Sequence, residues 1–287
     1  MSTVEVISAG PLTTIQDLGR PGFAHIGVPR SGAADRDSLV LANRLVGNSD
    51  GAPALETTLV GPRLRVEAAT VLALAGAPVA GIAMNEAFTL GAGEKLEIGT
   101  ARTGLRTYIA FQGGIEAPLT LGSAATDTLT GLGPPPLRPG DLLRLAGVSV
   151  RNDLYASISD TCPRGAAVLA VVLGPRDDWF TAKALKLLCG TPFTVTAQSS
   201  RIGLRLDGPA LDRARSGELP SEGLVAGAIQ VPPNGRPILL LVDHPTTGGY
   251  PVIATVLSTS LRFAAQLRPG QRVRFRIAPR SGATPLM

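Results

Sequence analysis

Asp243-His244-Pro245-Thr246-Thr247-Gly248-Gly249-Tyr250 gathers a carboxylate, an imidazole, two hydroxyls and two glycines directly after the apolar run Ile238 to Val242. An apolar run of that length reads as a strand, so the polar residues fall at a strand end. There their O–H and N–H groups can donate to a carboxylate, a carbonyl oxygen or a phosphate. His244, one of two histidines in the chain, suits a general base near neutral pH, with Asp243 beside it. A plain tight turn is the competing reading, but a turn needs glycine and has no need of Asp, His and two threonines together.

A second polar group lies near the start of the chain. Gln16-Asp17-Leu18-Gly19-Arg20-Pro21-Gly22 places an amide, a carboxylate and a guanidinium within five residues, bounded by glycines that permit close approach to a ligand. Such a loop can hold a polar substrate, or Asp17 and Arg20 can simply brace the turn. Pro29-Arg30-Ser31-Gly32-Ala33-Ala34-Asp35 leads into a helix whose free N–H groups attract an anion, although Ser31 or Asp35 can equally serve as its cap.

Several chemistries are missing. The chain has no GxxxxGK[ST] phosphate loop and no GxSxG elbow. Cys162 and Cys189 lack metal-ligand spacing, and no metal site is expected. Lys95, Lys183 and Lys186 are the only lysines, and none sits in Met-Lys-Met surroundings, so biotin is not expected to be attached to this chain. The formal charge of +5 comes from scattered residues with 4% aromatics, which argues against a nucleic-acid partner. Of 27 basic residues 24 are arginine, a bias that suits fixed recognition of carboxylate or phosphate and that genomic base composition also produces. The N-terminus carries no basic segment leading into an apolar one, and no run reaches the ~20 apolar residues of a membrane span. A reduced, cytoplasmic protein away from the membrane is therefore expected.

The elements that must position these groups are mostly strands. Gly (34) and Pro (24) are spread along 287 residues and punctuate short runs rich in Val, Ile, Leu and Thr. The spacing predicts a helix over 34–47, strands near 4–7, 64–66, 71–75, 88–90, 95–98 and 108–111, and an irregular loop at 129–136, where three prolines fix φ and donate nothing. That loop is either surface or a lip for a partner. A second half is expected to start with a buried strand at 167–173. A helix over 178–188 capped by Asp177, strands at 193–197, 224–231, 237–243 and 271–277, and a short helix over 258–266 follow. The polar stretch 147–164 divides two expected domains, residues 1–150 and 165–287. Two echoes in the same order, Thr14 to Gly22 with Thr196 to Gly203 and Glu56 to Gly61 with Glu222 to Gly227, point to a duplicated β domain.

The run Thr13 to Asn48 (TTIQDLGRPGFAHIGVPRSGAADRDSLVLANRLVGN) and the following ALETTLVGPRL resemble the opening of the family of C-type subunits of 5-oxoprolinase. That family includes allophanate hydrolase subunit 2, an antagonist of a sporulation-kinase inhibitor, and the carboxyltransferase region of urea carboxylase. Gln112 to Ile115, Gly140-Asp141, Ser200 to Gly203, Gly227 to Pro232 and Thr247 to Pro251 extend the resemblance over nearly the whole chain. It implies two cyclophilin-like β-barrel domains and a smaller partner, similar to the B-type subunit of 5-oxoprolinase or to allophanate hydrolase subunit 1. A further LamB/YcsF-like partner of the A type, a small amide substrate, and ATP with Mg in the complex are also implied. The resemblance implies a site built from the Gln16 to Arg20 and Thr246 to Tyr250 loops; Gln16, Arg20, Arg30, Arg201, Gln230 and Thr246 to Tyr250 are expected to bind substrate, with Asp17, Asp243 or His244 handling protons. ATP-dependent opening of 5-oxoproline to glutamate is the leading expectation. Carboxyl transfer from carboxybiotin to urea or another amide, and a non-catalytic antagonist that binds a kinase inhibitor, are the alternatives. Relatives often carry Asp where this chain has Ser200, and Lys where it has Val252.

Overall fold

The computed structural model describes residues 2–147, 162–163, 165–217 and 219–279, so the expected boundary at 147–164 falls almost wholly outside the described residues. The first half contains β1 (Thr3–Ser8), β2 (Thr13–Gln16), α1 (Arg36–Leu45), β3 (Ala54–Thr58), β4 (Arg63–Val66), β5 (Thr70–Gly76), β6 (Ala87–Leu90), β7 (Lys95–Glu97), β8 (Arg106–Phe111) and β9 (Leu142–Arg144). The strands form a four-stranded sheet, β7-β4-β1-β9, and a five-stranded sheet, β2-β3-β8-β5-β6, both antiparallel.

Strand alternation decides what each sheet face covers. Leu72 and Leu74 of β5 join Val4, Leu64, Leu55 and Ile109 in one core between the sheets, whereas Ala73 and Ala75 point the other way, onto α1. Small residues on that face let the helix sit close. Asp35 caps α1 by accepting from Ser38 N–H at 3.2 Å, and Gly47, at φ +77°, follows its end.

The second half contains β10 (Ala167–Leu173), α2 (Ala182–Gly190), β11 (Phe193–Val195), β12 (Gly203–Asp207), β13 (Glu222–Gly223), β14 (Ala228–Gln230), β15 (Ile238–Leu240), β16 (Thr247–Gly248), β17 (Val252–Val256), α3 (Ser258–Ala265) and β18 (Arg272–Ile277). Seven strands close into a barrel in the order β10-β17-β14-β15-β12-β11-β18, with β10 and β18 paired in parallel. Leu169, Phe193, Leu239, Ile253 and Phe275 fill it. The described residues are thus mainly β, with one closed barrel and a two-sheet partner.

Local expectations differ in instructive places. β10 is not buried on both faces: Val168, Val172 and Leu173 are exposed while Leu169 and Val171 are buried. The expected helix 178–188 is split, because Phe180 turns extended to bury its ring in the barrel. A single 3-10 turn, Asp177–Trp179, precedes it, and Thr181, not Asp177, caps α2 by accepting from Ala184 N–H at 3.1 Å. Strands β2, β3 and β17 escape the sequence pattern because they are buried on both faces and carry no alternation, and β12 is missed although Leu204 to Asp207 alternate. The echoed segments differ locally, since Thr13–Gln16 is strand and 196–200 is turn and coil.

Gln266, at the end of α3, stitches the halves together. Its Oε1 accepts from Leu105 N–H (2.9 Å) and Arg106 N–H (2.8 Å), and its Nε2 donates to Asp35 Oδ2 (2.8 Å) and Arg106 C=O (3.0 Å). Arg268 adds bonds to the carbonyls of Gly104 and Ala101, and Arg262 pairs with Asp37 at 2.9 Å. Gln266→Leu strands these buried groups and should cost about 2–4 kcal/mol of stability in urea denaturation. A loss below about 1 kcal/mol would show that the junction does not depend on this side chain.

Candidate active site

A cleft of about 640 Å³ opens between the halves. The first half supplies Leu12, Leu59, Leu105 and the loop 126–136, and the second half supplies Ser199, Ser200, Leu204 and Leu267. Its walls are largely apolar. Polar groups enter from Thr126 to Thr128 on one side and from Ser199 and Ser200 on the other.

The loop forming the first wall is shaped by its own side chains. Asp127 accepts from Leu129 N–H (2.9 Å) and Thr130 Oγ1 (2.6 Å), and Gly131 N–H closes a turn onto Asp127 C=O (3.0 Å). Pro134, Pro135 and Pro136 then line the cleft as the expected irregular lip.

Beneath the cleft lies a buried charge network that spans both halves. Arg201, 1% exposed, directs Nε to Asp243 Oδ2 (2.9 Å) and Nη2 to both Asp243 Oδ1 (3.2 Å) and Gly32 C=O (2.6 Å), while Nη1 bonds Glu56 Oε1. Glu56 Oε2 accepts from Ala34 N–H (2.9 Å) and Tyr108 O–H (2.7 Å). Arg106 Nε stands 3.3 Å from Glu56 Oε1 but is not aligned for a hydrogen bond, so it acts there through charge alone. Asp243 also accepts from Ser31 Oγ (2.7 Å), Thr128 N–H (3.0 Å) and Thr128 Oγ1 (2.7 Å).

Two cations and two anions therefore cancel. Burial alone would push the Glu56 carboxyl up; the Arg201 and Arg106 charges and the donated hydrogen bonds more than reverse this and hold it below the ordinary range. Asp243 is likewise pushed up by burial and drawn below its usual value by Arg201, Ser31 and Thr128. Burial pulls Arg201 down, but Glu56 and Asp243 outweigh it, and the guanidinium titrates above its usual range. Burial, with the charges of Glu56 and Asp35, raises the Tyr108 phenol well above its ordinary value.

The residues singled out from the sequence divide into groups. Arg201 and Asp243 meet each other. Gln16, Asp17 and Arg20 meet the back of the cleft loop: Gln16 Nε2 donates to Thr126 C=O (2.9 Å), and Asp17 accepts from Ser123 Oγ and Ala124 N–H (both 2.7 Å). Arg20 donates to the carbonyls of Thr120 and Ala125. Asp17 and Arg20 do not brace the turn against each other, the alternative reading of this loop; Asp17 accepts instead from Gly19 N–H at 2.7 Å. Arg30 is exposed, with Nε near Leu18 C=O at 3.4 Å. Ser31 does not cap α1 and reaches across to Asp243.

Thr246 to Tyr250 are not on the wall of this cleft. Thr247 and Gly248 form the β13–β16 ribbon, Thr247 and Tyr250 are exposed, and buried Gln230 holds the ribbon through Tyr250 C=O (3.1 Å). His244 is buried, its Nδ1 2.7 Å from Pro245 C=O. A carbonyl can only accept, so this contact places the ring proton on Nδ1 and the lone pair on Nε2. Val252 packs with Leu224, Ala228 and Leu240, an apolar setting, while Ser200 faces the cleft. Sequence reasoning misses Glu56, Arg106, Thr128 and Gln266. A lone Glu in the middle of Ala54-Leu55-Glu56-Thr57 is the available signal, since a carboxylate on a buried strand needs a partner.

The carboxylates set a pH dependence. Because their folded values lie below their unfolded ones, their contribution is complete above roughly pH 4–5 and is lost as pH falls through the folded values. Glu56→Gln should cost about 3–5 kcal/mol at pH 7 and flatten the acid side of the stability curve. Parallel wild-type and variant curves between pH 7 and about pH 3 would contradict this.

The comparisons with known proteins agree with this architecture. A family model described as carboxyltransferase domain, subdomain A and B, matches residues 26–277. The chain is 37% identical to the C-type subunit of 5-oxoprolinase from Escherichia coli, over 95% of this chain and 90% of that one, and 30% identical to its namesake in Haemophilus influenzae over the same shares. Urea amidolyase of Saccharomyces cerevisiae is 32% identical, but the match covers 96% of this chain and 16% of that one. Among solved structures, that of TTHA0988 superposes with a TM-score of 0.86 at 36% identity, covering 96% of this chain and 55% of that one. The urea amidolyase of K. lactis superposes with a TM-score of 0.88 at 32% identity, covering 95% of this chain and 18% of that one. On these matches the chain belongs to the carboxyltransferase domain A and B family, and it is similar along nearly its whole length to the C-type subunits of 5-oxoprolinase.

Proposed function

We propose that this chain is one component of a heteromeric amide- or lactam-processing enzyme that opens 5-oxoproline to glutamate with ATP, acting beside a smaller partner. The end-to-end match to the bacterial 5-oxoprolinase chains carries this reading, because the urea amidolyases match only as a small part of far longer chains. The TTHA0988 chain, nearly half of which has no counterpart here, supports a requirement for a further polypeptide.

Hydrolysis of a lactam breaks the ring C–N bond, adds a water oxygen to the carbonyl carbon and delivers a proton to the departing nitrogen. In this reading the ring lies in the cleft, with its polar edge toward Thr126 to Thr128 and Ser199. Asp17 and Asp243, each saturated with hydrogen bonds, hold the wall loop and not protons. Arg20 positions the same loop directly, and Arg201 does so only through Asp243. His244 does not line the cleft; in this reading it serves proton transfer only at the edge of the site that the smaller partner completes.

ATP with Mg does not fit the cleft that this chain builds. Arg106 and Arg201 are engaged with Glu56, Asp243 and backbone carbonyls, and among the described residues no group of His, Cys, Asp and Glu could hold a metal ion. We therefore assign nucleotide binding to the partner chains. Carboxyl transfer is the second reading, favoured by the K. lactis superposition.

Co-expressed with the products of its neighbouring genes, the chain should release glutamate from 5-oxoproline with matching ADP. His244→Gln should lower kcat by about a hundredfold or more with an unchanged melting temperature. Undiminished turnover in that variant would remove His244 from the chemistry. Urea carboxylation that depends on a biotinylated carrier, with no glutamate released, would favour the second reading over the first.

A further inference from the structure

Leu59 holds a backbone conformation that leucine rarely adopts. Its φ is +65°, and Val60 N–H donates to Thr58 C=O at 2.8 Å, which closes a three-residue γ-turn of the strained, positive-φ kind. Both of its own main-chain groups are bonded, N–H to Leu105 C=O (2.7 Å) and C=O from Ala101 N–H (2.8 Å). The flanking backbone has no room to relax: a Cβ on Gly10 would stand 2.4 Å from Val60 O, and one on Gly61 2.1 Å from Ile98 Cγ2.

Packing does not account for this strain. Leu59 is 38% exposed and belongs to none of the hydrophobic cores. What the turn achieves is placement, since it sets an uncovered branched side chain on the cleft wall among Leu12, Leu105, Leu204 and Leu267. Strain retained at a site that the core does not need is a mark of function.

We infer that Leu59 is a specificity-determining residue whose side chain grips the apolar face of a compact cyclic amide while the ring's polar edge turns toward Thr126 to Thr128 and Ser199. The inference rests on the reading of the cleft as the substrate site, and it narrows the substrate class to ring amides with a methylene face. Urea has no such face.

Glycine adopts φ +65° without strain, so Leu59→Gly removes the side chain while relaxing the turn. In the assembled enzyme it should raise KM for 5-oxoproline roughly tenfold, leave kcat within about twofold, and keep or raise the melting temperature. Leu59→Ala, which keeps the strained Cβ, should raise KM similarly. A structural role alone would instead lower the melting temperature and leave KM in place. In parallel, methyl NMR of the full chain titrated with 2-pyrrolidinone should shift the Leu59 methyls, with affinity lost in Leu59→Gly.

Turnover of 5-oxoproline with unchanged KM in both variants would overturn the inference and leave the proposed reaction standing. An assembly inert toward 5-oxoproline whose isolated chain still binds 2-pyrrolidinone through Leu59 would sink the proposed reaction and uphold the ring-binding role. No shift at Leu59 with either result would end the inference.

Discussion

The guanidinium of Arg201 is the point on which the two halves agree. It lies 1% exposed between Glu56 of the first half and Asp243 of the second, and each acid is tied in turn to further groups of the first half. A buried guanidinium without acids beside it would be intolerable, and two buried acids without it would take up protons. With Arg106 beside Glu56 as the second cation the charges balance, and the balance is a geometric condition, because the groups are satisfied only at one relative placement of barrel and sheets. An apolar seam of equal area would hold the halves together, but it would accept sliding and rotation that this network does not.

That placement creates the cleft. The loop 120–136 hangs from both halves at once, through Asp17, Gln16 and Arg20 on one side and Asp243 on the other, so its inner face is fixed relative to Ser199 and Leu204. Arg106, Asp127 and Arg201 reach the lining with their charged groups already engaged, and the rest of the walls are leucines, prolines and hydroxyls. A cavity with that lining orients a ligand by shape and a few hydrogen bonds and not by a salt link.

Much of the fold is legible in the sequence because it depends on local rules. Asp35 before an amphipathic stretch and Gly47 after it mark α1, and the alternation of Arg272, Arg274 and Arg276 with Val273 and Phe275 marks one buried face of β18. The segments around Gln16–Arg20 and Asp243 stand out as polar clusters with work to do, and both reach the same loop. The work itself is not readable. Glu56 and Arg201 are 145 positions apart and Gln266 and Asp35 are 231 apart, and no periodicity reports on such pairs. Asp243 and Thr247 look like one motif, yet the chain turns between them, sending the first into the interface and the second onto an outer ribbon. Leu59 gives no signal at all, since its distinction lies in a dihedral angle.

The order of strands in the barrel has a temporal meaning. β10, the first strand of the ring, finds its parallel neighbour only in β18, the last described one, with β11 on that strand's other edge. During synthesis on a ribosome the barrel cannot close until residues 272–277 have been made, while every strand of the first-half sheets is made well before. Glu56 therefore has only the charge of Arg106 from its own half beside it at first, and Arg201, the second cation of the network, is held in place only with the closed ring.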